Sequence, residues 1–262
     1  MVDVTNDERT NSESTDVDEQ STDVGWTDDQ FEVFLKQELF NDPLAKEYPD
    51  VFDIAPKLIC KWRQRYRGNK PLWKRLFDKD KVLKEFIEAV PFIDAIQKLV
   101  INSELKDGEK YTIIDLACGR GYLSMILSEL LPPDKVEKII LVDKQWAMHN
   151  MTPTSQHISW THIYGSFKAC EDQTIPSYYE TWPISLNTSS INLKKSREIK
   201  SMEKRLFSNG PVILVAVHLC GTLSLKAVEL FNNNPKTKFL LLKPCWKVRV
   251  CIVLSYELMC LI

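Results

Sequence analysis

The segment IIDLACGRGYLS, residues 113–124, decides the fold of this chain. An apolar run, Tyr111–Leu116, predicts a strand, and the apolar spacing of Leu123–Leu131 predicts a helix. Between them lies a turn of small residues, and the order strand, glycine turn, helix is typical of the first unit of a parallel α/β sheet. Gly119 and Gly121 would leave the backbone N–H groups of this turn open to a ligand.

An acidic residue follows the next apolar run of the sequence. Lys138–Val142 is the second predicted strand, and Asp143 comes directly after it, 22 residues beyond Gly121. A carboxylate at this place can accept hydrogen bonds from both ribose hydroxyls of an adenosine ligand. The turn and this acid together predict a cofactor site, against the alternative that the turn needs glycine for packing alone.

The residue types at the turn favour S-adenosylmethionine (SAM) over a dinucleotide. Asp115 stands before the turn, where its charge would oppose a pyrophosphate but suits the ammonium group of a methionine moiety. Ser124 stands where the dinucleotide fingerprint has its third glycine. Both observations point to SAM.

The rest of the chain continues the alternation of strands and helices. Further strands are predicted at residues 158–164, Val212–Val217 and Lys238–Leu242, and a helix over Leu223–Phe231. This pattern predicts an α/β fold with a Rossmann-like, mainly parallel sheet. Residues 246–262 barely allow the two further strands that such sheets usually add, so we expect a product that is truncated or mis-spliced at its C-terminal strands.

The sequence divides into three expected parts. Residues 1–25 lack periodic apolar positions and are rich in Ser, Thr, Asp and Glu, which predicts a disordered acidic tail. Residues 26–105 have helical spacing and predict a helical N-terminal region, with a capping side chain at Thr27 and a helix break at Pro91. Residues 106–262 then form the α/β domain.

Two segments of that domain depart from the pattern. Residues 171–209 are polar and are interpreted as an insertion, with a basic, helix-permissive stretch at Leu193–Leu206. Residues 246–262 are interpreted as an atypical end.

The charge and hydropathy of the chain indicate which kinds of partner and compartment to expect. The net charge is −2, but residues 1–30 hold ten acids and one base, so the remainder carries +7. A basic body indicates an anionic partner, while the acidic segment is either a competitor for that partner or a solubilising tail. The chain has no apolar signal region and no run of 18 apolar residues, so we expect a soluble protein of the cytoplasm or nucleus, with no membrane partner.

Two motifs resemble class I SAM-dependent methyltransferases. Residues 115–121, with the pattern Asp-x-Ala-x-Gly-x-Gly, are similar to the first motif of that family, with alanine in place of the first glycine. Residues 215–221, VAVHLCG, resemble a subgroup that includes the tRNA 2′-O-methylating enzymes and related methyltransferase-like proteins. The resemblance covers about residues 110–245 and implies SAM as the cofactor.

The resemblance also implies the residues around the cofactor. It assigns the methionine part to Asp115, Ala117, Gly119 and Gly121, the ribose to Asp143, the adenine to Lys144–Trp146 and the region of Ser166, and the methyl group to His218, Cys220 and Gly221. His218 is the candidate base or positioning group, against a role in bonding a loop. Cys220 is either a nucleophile or a space-filling side chain. We expect no metal site.

RNA is the expected partner through the segment Lys57–Arg75, which holds eight bases and no acid. Trp62, Tyr66 and Trp73 are interleaved with these bases and could stack on unpaired nucleobases. The alternative is a helical hairpin in which the three rings are core. The cysteine/histidine zinc modules of the tRNA enzymes are absent, since only Cys60 precedes residue 118, so tRNA specificity is not implied.

The sequence thus predicts a SAM-dependent methyltransferase with RNA as its acceptor. Two alternatives remain: a methyltransferase that acts on protein or a small molecule, and a non-catalytic or truncated methyltransferase-like binding protein. The sequence leaves the acceptor atom and the oligomeric state open.

Overall fold

Helices form the first part of the protein that the structure, a computed structural model, describes. The described residues are 25–66, 70–79, 81–147, 154, 156–158, 161–164, 182–207, 210–217, 219, 221–243 and 252–255. The predicted disordered tail lies outside them, except for Gly25. The helices before the sheet are α1 (Asp28–Phe40), α2 (Leu44–Glu47), α3 (Pro49–Tyr66), α4 (Lys70–Lys74), which continues into a π-helical turn (Arg75–Lys79), and α5 (Val82–Asn102).

A single sheet follows, with strands and helices in alternation. Its elements are β1 (Tyr111–Leu116), α6 (Tyr122–Leu130), β2 (Val136–Asp143), α7 (Thr161–Tyr164), β3 (Ser185–Ser190), α8 (Ser196–Leu206), β4 (Val212–Ala216), α9 (Thr222–Asn233), β5 (Thr237–Leu242) and β6 (Ile252–Ser255). The strand order is β3-β2-β1-β4-β5-β6. All neighbouring strands are parallel except β5 and β6, which are antiparallel. The predicted α/β, Rossmann-like fold is confirmed.

The order of the strands defines where a ligand can bind. The chain moves outward from β1 to β3 on one side and returns to β4 on the other, so the direction of winding reverses between β1 and β4. In open parallel sheets, ligands bind beyond the carboxyl ends of the strands at such a switch point. Asp115 pairs with Val215 across this point.

The two faces of the sheet bury different helices. Ile113, Ile139 and Ile213 face one core, which also contains the buried side chains of α1, α3, α5 and α6. Residues one position further along the strands, such as Ile114 and Ile140, face a second core formed with α8 and α9. The N-terminal helices therefore share one hydrophobic core with the sheet and support it from one side.

Two predictions about helix ends, a cap at Thr27 and a break at Pro91, can be compared with the structure. The Thr27 hydroxyl accepts a hydrogen bond from the Gln30 backbone N at 3.2 Å, and the Gln30 side chain accepts one from the Thr27 N at 3.0 Å. This confirms the predicted cap. The break predicted at Pro91 is wrong, because α5 runs through it. Phe86 and Phe92 are buried on the two sides of Pro91, and this burial offsets the hydrogen bond that proline removes.

The third strand is not where the sequence predicted it. Within residues 158–164, Ile158 forms only an isolated bridge to Trp146, and Thr161–Tyr164 is the helical turn α7. The third strand is β3, which lies inside the segment 171–209 that was interpreted as an insertion, so that interpretation is wrong for β3 and α8. β3 has the sequence SLNTSS and lies at the sheet edge with a half-buried surface, so its apolar signal is weak. The helix predicted within Leu193–Leu206 is confirmed as α8.

The end of the described chain adds one strand. β6 lies within residues 246–262 and pairs Val253 with Leu241 of β5. None of the described helices combines the length and the apolar character that crossing a membrane requires.

Candidate cofactor site

The turn after β1 is built from left-handed backbone. Ala117, Gly119 and Gly121 have φ angles of 54°, 56° and 81°. The Cys118 N donates to the Val142 carbonyl at 3.2 Å, and the Gly121 N donates to the Cys118 carbonyl at 2.9 Å, so the turn is pinned to β2 and closed on itself. Glycine adopts this backbone without strain, whereas the alanine at position 117 does so at a cost.

Gly119 and Gly121 have different roles. A Cβ atom at Gly121 would lie 2.2 Å from Cδ2 of Leu141, so Gly121 is required for packing of the turn against β2. A Cβ atom at Gly119 would meet nothing within 4 Å. Gly119 therefore faces open space, which is what close approach of a ligand to the backbone needs. The packing interpretation holds for Gly121, and the binding interpretation suits Gly119.

Asp115 is a buried carboxylate beside a small cavity. Its side chain accepts a hydrogen bond from Ser124 Oγ at 2.8 Å, and the residue is 3% exposed. The cavity, of about 20 Å³, is also lined by Glu85 and Ala89 of α5 and by Tyr122. Two carboxylates thus face one narrow space, an arrangement that suits a cationic group.

Glu85 was not singled out from the sequence. It lies 30 residues before Asp115, in a helix whose acids have the ordinary pattern of a solvated face. Packing of α5 against α6 brings Glu85 to the glycine turn. No motif in the sequence carries this information.

Asp143 is held by both of its oxygens. Oδ2 accepts from the Gly119 N at 3.2 Å, and Oδ1 accepts from the Gln145 N at 2.8 Å. A carboxylate has about four acceptor positions, so each oxygen retains capacity for a further hydrogen bond. Asp143 is partly exposed, and its arrangement fits the two hydroxyls of a ribose.

Cys118 links the glycine turn to the loop after β2. The indole Nε1 of Trp146 donates to Cys118 Sγ at 3.3 Å. Burial, followed by the charge of Asp115, raises the pKa of the Cys118 thiol well above its usual value. The thiol therefore stays neutral and structural at physiological pH.

An open cleft of about 630 Å³ lies over this edge of the sheet. This volume is within the range of small-molecule and cofactor sites. Its lining combines the start of α5, the turn and the loops after β2: Lys81, Lys84, Glu85, Glu88, Ala117, Cys118, Gly119, Arg120, Tyr122, Gln145 and Ile158. Lys144, which was predicted near the adenine, is exposed and does not line the cleft. Gln145 and Ile158 do line it. Together with the acceptor capacity of Asp143, the cleft fits SAM.

The remaining predicted site residues are described only in part. His218, Cys220 and Ser166 lie outside the described residues. Their neighbours are described: Val217 lines the cavity beside Asp115, and Leu219 is buried. Gly221 has a φ of 59° and precedes α9, and a Cβ there would meet nothing within 4 Å. The segment that follows β4 thus leaves the sheet at the switch point, next to the glycine turn.

The rings of the basic-aromatic segment are core, which corrects their predicted role in stacking on nucleobases. Trp62, Tyr66 and Trp73 are between 2% and 7% exposed. Trp62 makes an edge contact with Trp182 at a centroid distance of 6.1 Å, and Trp73 stacks on Phe77 at 5.4 Å. Such rings complete the hydrophobic core and cannot receive a base.

Several bases of the same segment are also engaged within the protein. Arg63 pairs with Asp28 at 2.6 Å, and Lys61 pairs with Glu129, whose side chain is nearly buried. The Arg65 guanidinium lies 4.0 Å from the ring centroid of Trp182. These contacts hold α3 to its neighbours, so part of the segment's charge has a structural use.

The fold and the site define a class I methyltransferase. A family model described as a methyltransferase domain matches residues 83–250, which include α5 from its second residue, the glycine turn and Asp143. This match covers more than half of the chain, and the chain belongs to that family. SAM is therefore the cofactor that the site holds.

Two further comparisons add little detail. No curated protein matches the chain. Among solved structures, the chain is similar to the plantazolicin methyltransferase BpumL in complex with SAH, with 16% identity and a TM-score of 0.32. That match covers 83% of this chain and 60% of the BpumL chain, so this chain spans less than two thirds of the length of BpumL.

Proposed function

We propose that this protein transfers a methyl group from SAM to RNA, in the manner of the tRNA 2′-O-methylating enzymes that residues 215–221 resemble. The observation that carries the cofactor half is the position of Gly119 in the cleft, where its backbone N donates to Asp143, next to the small cavity that Asp115 lines. The acceptor half rests on the His-Leu-Cys-Gly motif and on the charge of the chain outside its acidic segment.

The protein's own groups position the cofactor. SAM, when bound, supplies an electrophilic methyl group on a sulfonium centre. Asp143 would accept hydrogen bonds from the ribose hydroxyls, and the open backbone at Gly119 would allow the ligand to approach. Asp115 and Glu85 would face the ammonium group, and the cavity between them supports this assignment.

His218 and Cys220 are the proposed acceptor-side residues. A hydroxyl nucleophile must lose its proton as it is methylated, and a neutral imidazole is suited to accept it near neutral pH. The position of Val217 beside Asp115 supports a role for His218 as base or positioning group. Cys220 would pack beside the acceptor. Gly221 would leave space for it, since a side chain there would meet open space.

The RNA acceptor is supported by charge as well as by motif. The chain outside residues 1–30 carries +7, and phosphate contacts dominate the affinity of proteins for RNA. The bases of Lys57–Arg75 would contribute charge without stacking, since the three rings are buried. We propose the cytoplasm or nucleus as the compartment, because the acceptor is found there.

Methyl transfer from radiolabelled SAM to total RNA, to protein and to small-molecule extracts tests the proposal. We expect label in RNA, loss of transfer in His218→Ala, and the same calorimetric SAM affinity in that variant as in the wild type. Label only in protein or in a small molecule would overturn the RNA acceptor and keep the enzyme class. Saturable SAM binding with no transfer to any fraction would favour the non-catalytic binding protein.

A further inference from the structure

The outer face of α8 carries a row of cations. Arg197, Lys200 and Lys204 are exposed, and their spacing of three and four residues places them on one side of the helix. None of the three forms an ion pair or a hydrogen bond with another residue in the described part of the chain. These charges are therefore available to a partner.

The acids of the same helix do not neutralise this row. The Glu198 carboxylate accepts from the Asn192 N at 2.7 Å and pairs with Lys195 at 2.9 Å. Glu203 accepts from the Asn234 side chain at 3.0 Å. Both acids are thus turned to partners within the protein, while the three cations face solvent.

The position of α8 relates the row to the cofactor cleft. Residues 191–195 connect the carboxyl end of β3 to α8, and the Ile191 N donates to the Asp143 backbone carbonyl at 3.3 Å. The first turn of α8 therefore lies near the residue that would hold the ribose. Met202 and Phe207 are buried in the core beneath the sheet, so the helix is a fixed surface.

The row has the dimensions of a short piece of nucleic-acid backbone. Arg197 and Lys204 are separated by about 10 Å along the axis, at about 1.5 Å per residue. In a duplex of the DNA type, one strand advances about 3.4 Å of helix axis per phosphate, so about four phosphates, separated by three intervals, span the same length. Three cations on a fixed helix therefore extend over a length of backbone that carries about four phosphates.

We propose that this face of α8, the α8 track, binds the phosphodiester backbone of the RNA acceptor and leads it to the cleft at Asp143. The inference rests on the proposed function, since it assigns a surface to the proposed acceptor. It places the main phosphate contacts on the opposite face of the sheet from Lys57–Arg75. Charge complementarity, the engaged acids and the continuity with the Asp143 loop support it.

The test is RNA binding by the full chain with α8 neutralised. We compare the wild type, Arg197→Gln/Lys200→Gln/Lys204→Gln and the matched control Lys36→Gln/Lys46→Gln/Lys106→Gln, which removes three cations from the helical region and the loop before β1. Glutamine keeps a helix propensity close to that of lysine and arginine, so α8 should persist. The probe is a fluorescently labelled tRNA transcript, followed by anisotropy over a range of salt concentrations.

We expect the α8 variant to bind the transcript about tenfold or more weakly than the wild type and the control at moderate salt. A plot of the logarithm of the RNA association constant against the logarithm of salt concentration has a negative slope. The magnitude of that slope should decrease by about 2 to 3 in the α8 variant, at about 0.7 to 0.9 for each phosphate that the variant no longer neutralises. Calorimetric SAM affinity should be unchanged, which also reports that the variant is folded. Lys200→Arg/Lys204→Arg, which keeps the charge, should bind RNA like the wild type.

The failures are distinguishable. An α8 variant that binds RNA as the wild type does, or a control that loses as much affinity, overturns the α8 track and leaves the proposed function standing. A wild type that binds SAM but not RNA overturns both. If the triple α8 variant loses SAM binding, each of the three substitutions is tested singly. The inference then holds only if at least two of these single variants weaken RNA binding.

Discussion

The carboxylate of Asp143 accepts a hydrogen bond from the backbone N of Gly119 at 3.2 Å, which joins the end of β2 to the turn after β1. Its other oxygen accepts from the Gln145 N at 2.8 Å, so one side chain organises two loops of the cleft. Removing this carboxylate would disturb both loops as well as any ribose contact. Asp143→Ala is therefore an ambiguous probe of binding, and more selective substitutions are needed.

Alanine at Gly119 and at Gly121 should separate binding from folding. Gly121→Ala places a Cβ 2.2 Å from Leu141 in left-handed backbone, so we expect a loss of about 3 kcal/mol in unfolding free energy. Gly119→Ala meets no atom within 4 Å and should cost only about 1–2 kcal/mol of backbone strain. Urea unfolding measures both values.

Calorimetry with SAM completes the comparison of these two variants. Gly119→Ala should weaken SAM binding about tenfold or more, equivalent to about 1.4 kcal/mol, because its methyl group enters the open space at the turn. Unchanged SAM affinity in a folded Gly119→Ala protein would show that this glycine serves the turn alone.

Glu85→Gln should weaken SAM binding through the amino-acid part of the ligand. We expect about a tenfold loss of SAM affinity, because a carboxylate facing an ammonium group in a partly enclosed site contributes about 1–4 kcal/mol. Methylthioadenosine lacks the amino-acid part, so its affinity should not change. Glu88→Gln is the matched control, since Glu88 lines the cleft but not the cavity beside Asp115. Equal losses for both ligands would rule out an ammonium contact.

Stability should fall in alkaline solution. Burial, then the charges of Glu32 and Asp28, raises the pKa of the Cys60 thiol from 9.0 to about 11. Between pH 9.0 and about 11 the unfolded chain releases this proton and the folded chain keeps it. The free energy of unfolding therefore decreases as the pH rises through this window.

Unfolding in urea at several pH values in that window checks this prediction. Cys60→Ala should show a weaker decrease than the wild type. Some decrease should remain, because burial also raises the pKa of Tyr66 and of Cys118. Identical pH profiles for the two proteins would show that Cys60 does not contribute.

Trp62 should act in the core and not in RNA recognition. Trp62→Ala should lower the unfolding free energy by about 3–5 kcal/mol, because the ring is buried against Trp182. Trp62→Phe keeps a ring and deletes an indole N–H that has no partner among the described residues, so it should cost less than about 1.5 kcal/mol. Its affinity for a tRNA transcript should equal that of the wild type. A fall in RNA affinity without a fall in stability would restore the stacking hypothesis.

The elements predicted correctly from sequence have strong local signals. Six elements, β1, α6, β2, β4, α9 and β5, combine apolar runs, small-residue turns and helix stops. Each begins and ends within two residues of its predicted bounds, which is comparable with the uncertainty in assigning the ends of an element. β3 was missed because an edge strand needs only one covered face, so SLNTSS carries little apolar periodicity. The break at Pro91 was wrong because burial along α5 outweighed a local propensity.

The sequence alone determined the parallel α/β sheet, the glycine turn after β1 and the acid after β2, because these depend on backbone freedom and on apolar patterns within a few residues. Only the tertiary structure decided which glycine packs and which is open, since that depends on the distance from the turn to Leu141 on another strand. It also brought Glu85 to Asp115 and buried the rings of Trp62, Tyr66 and Trp73. Contacts between residues far apart in the chain arise from packing of whole elements, and no short stretch of sequence encodes them.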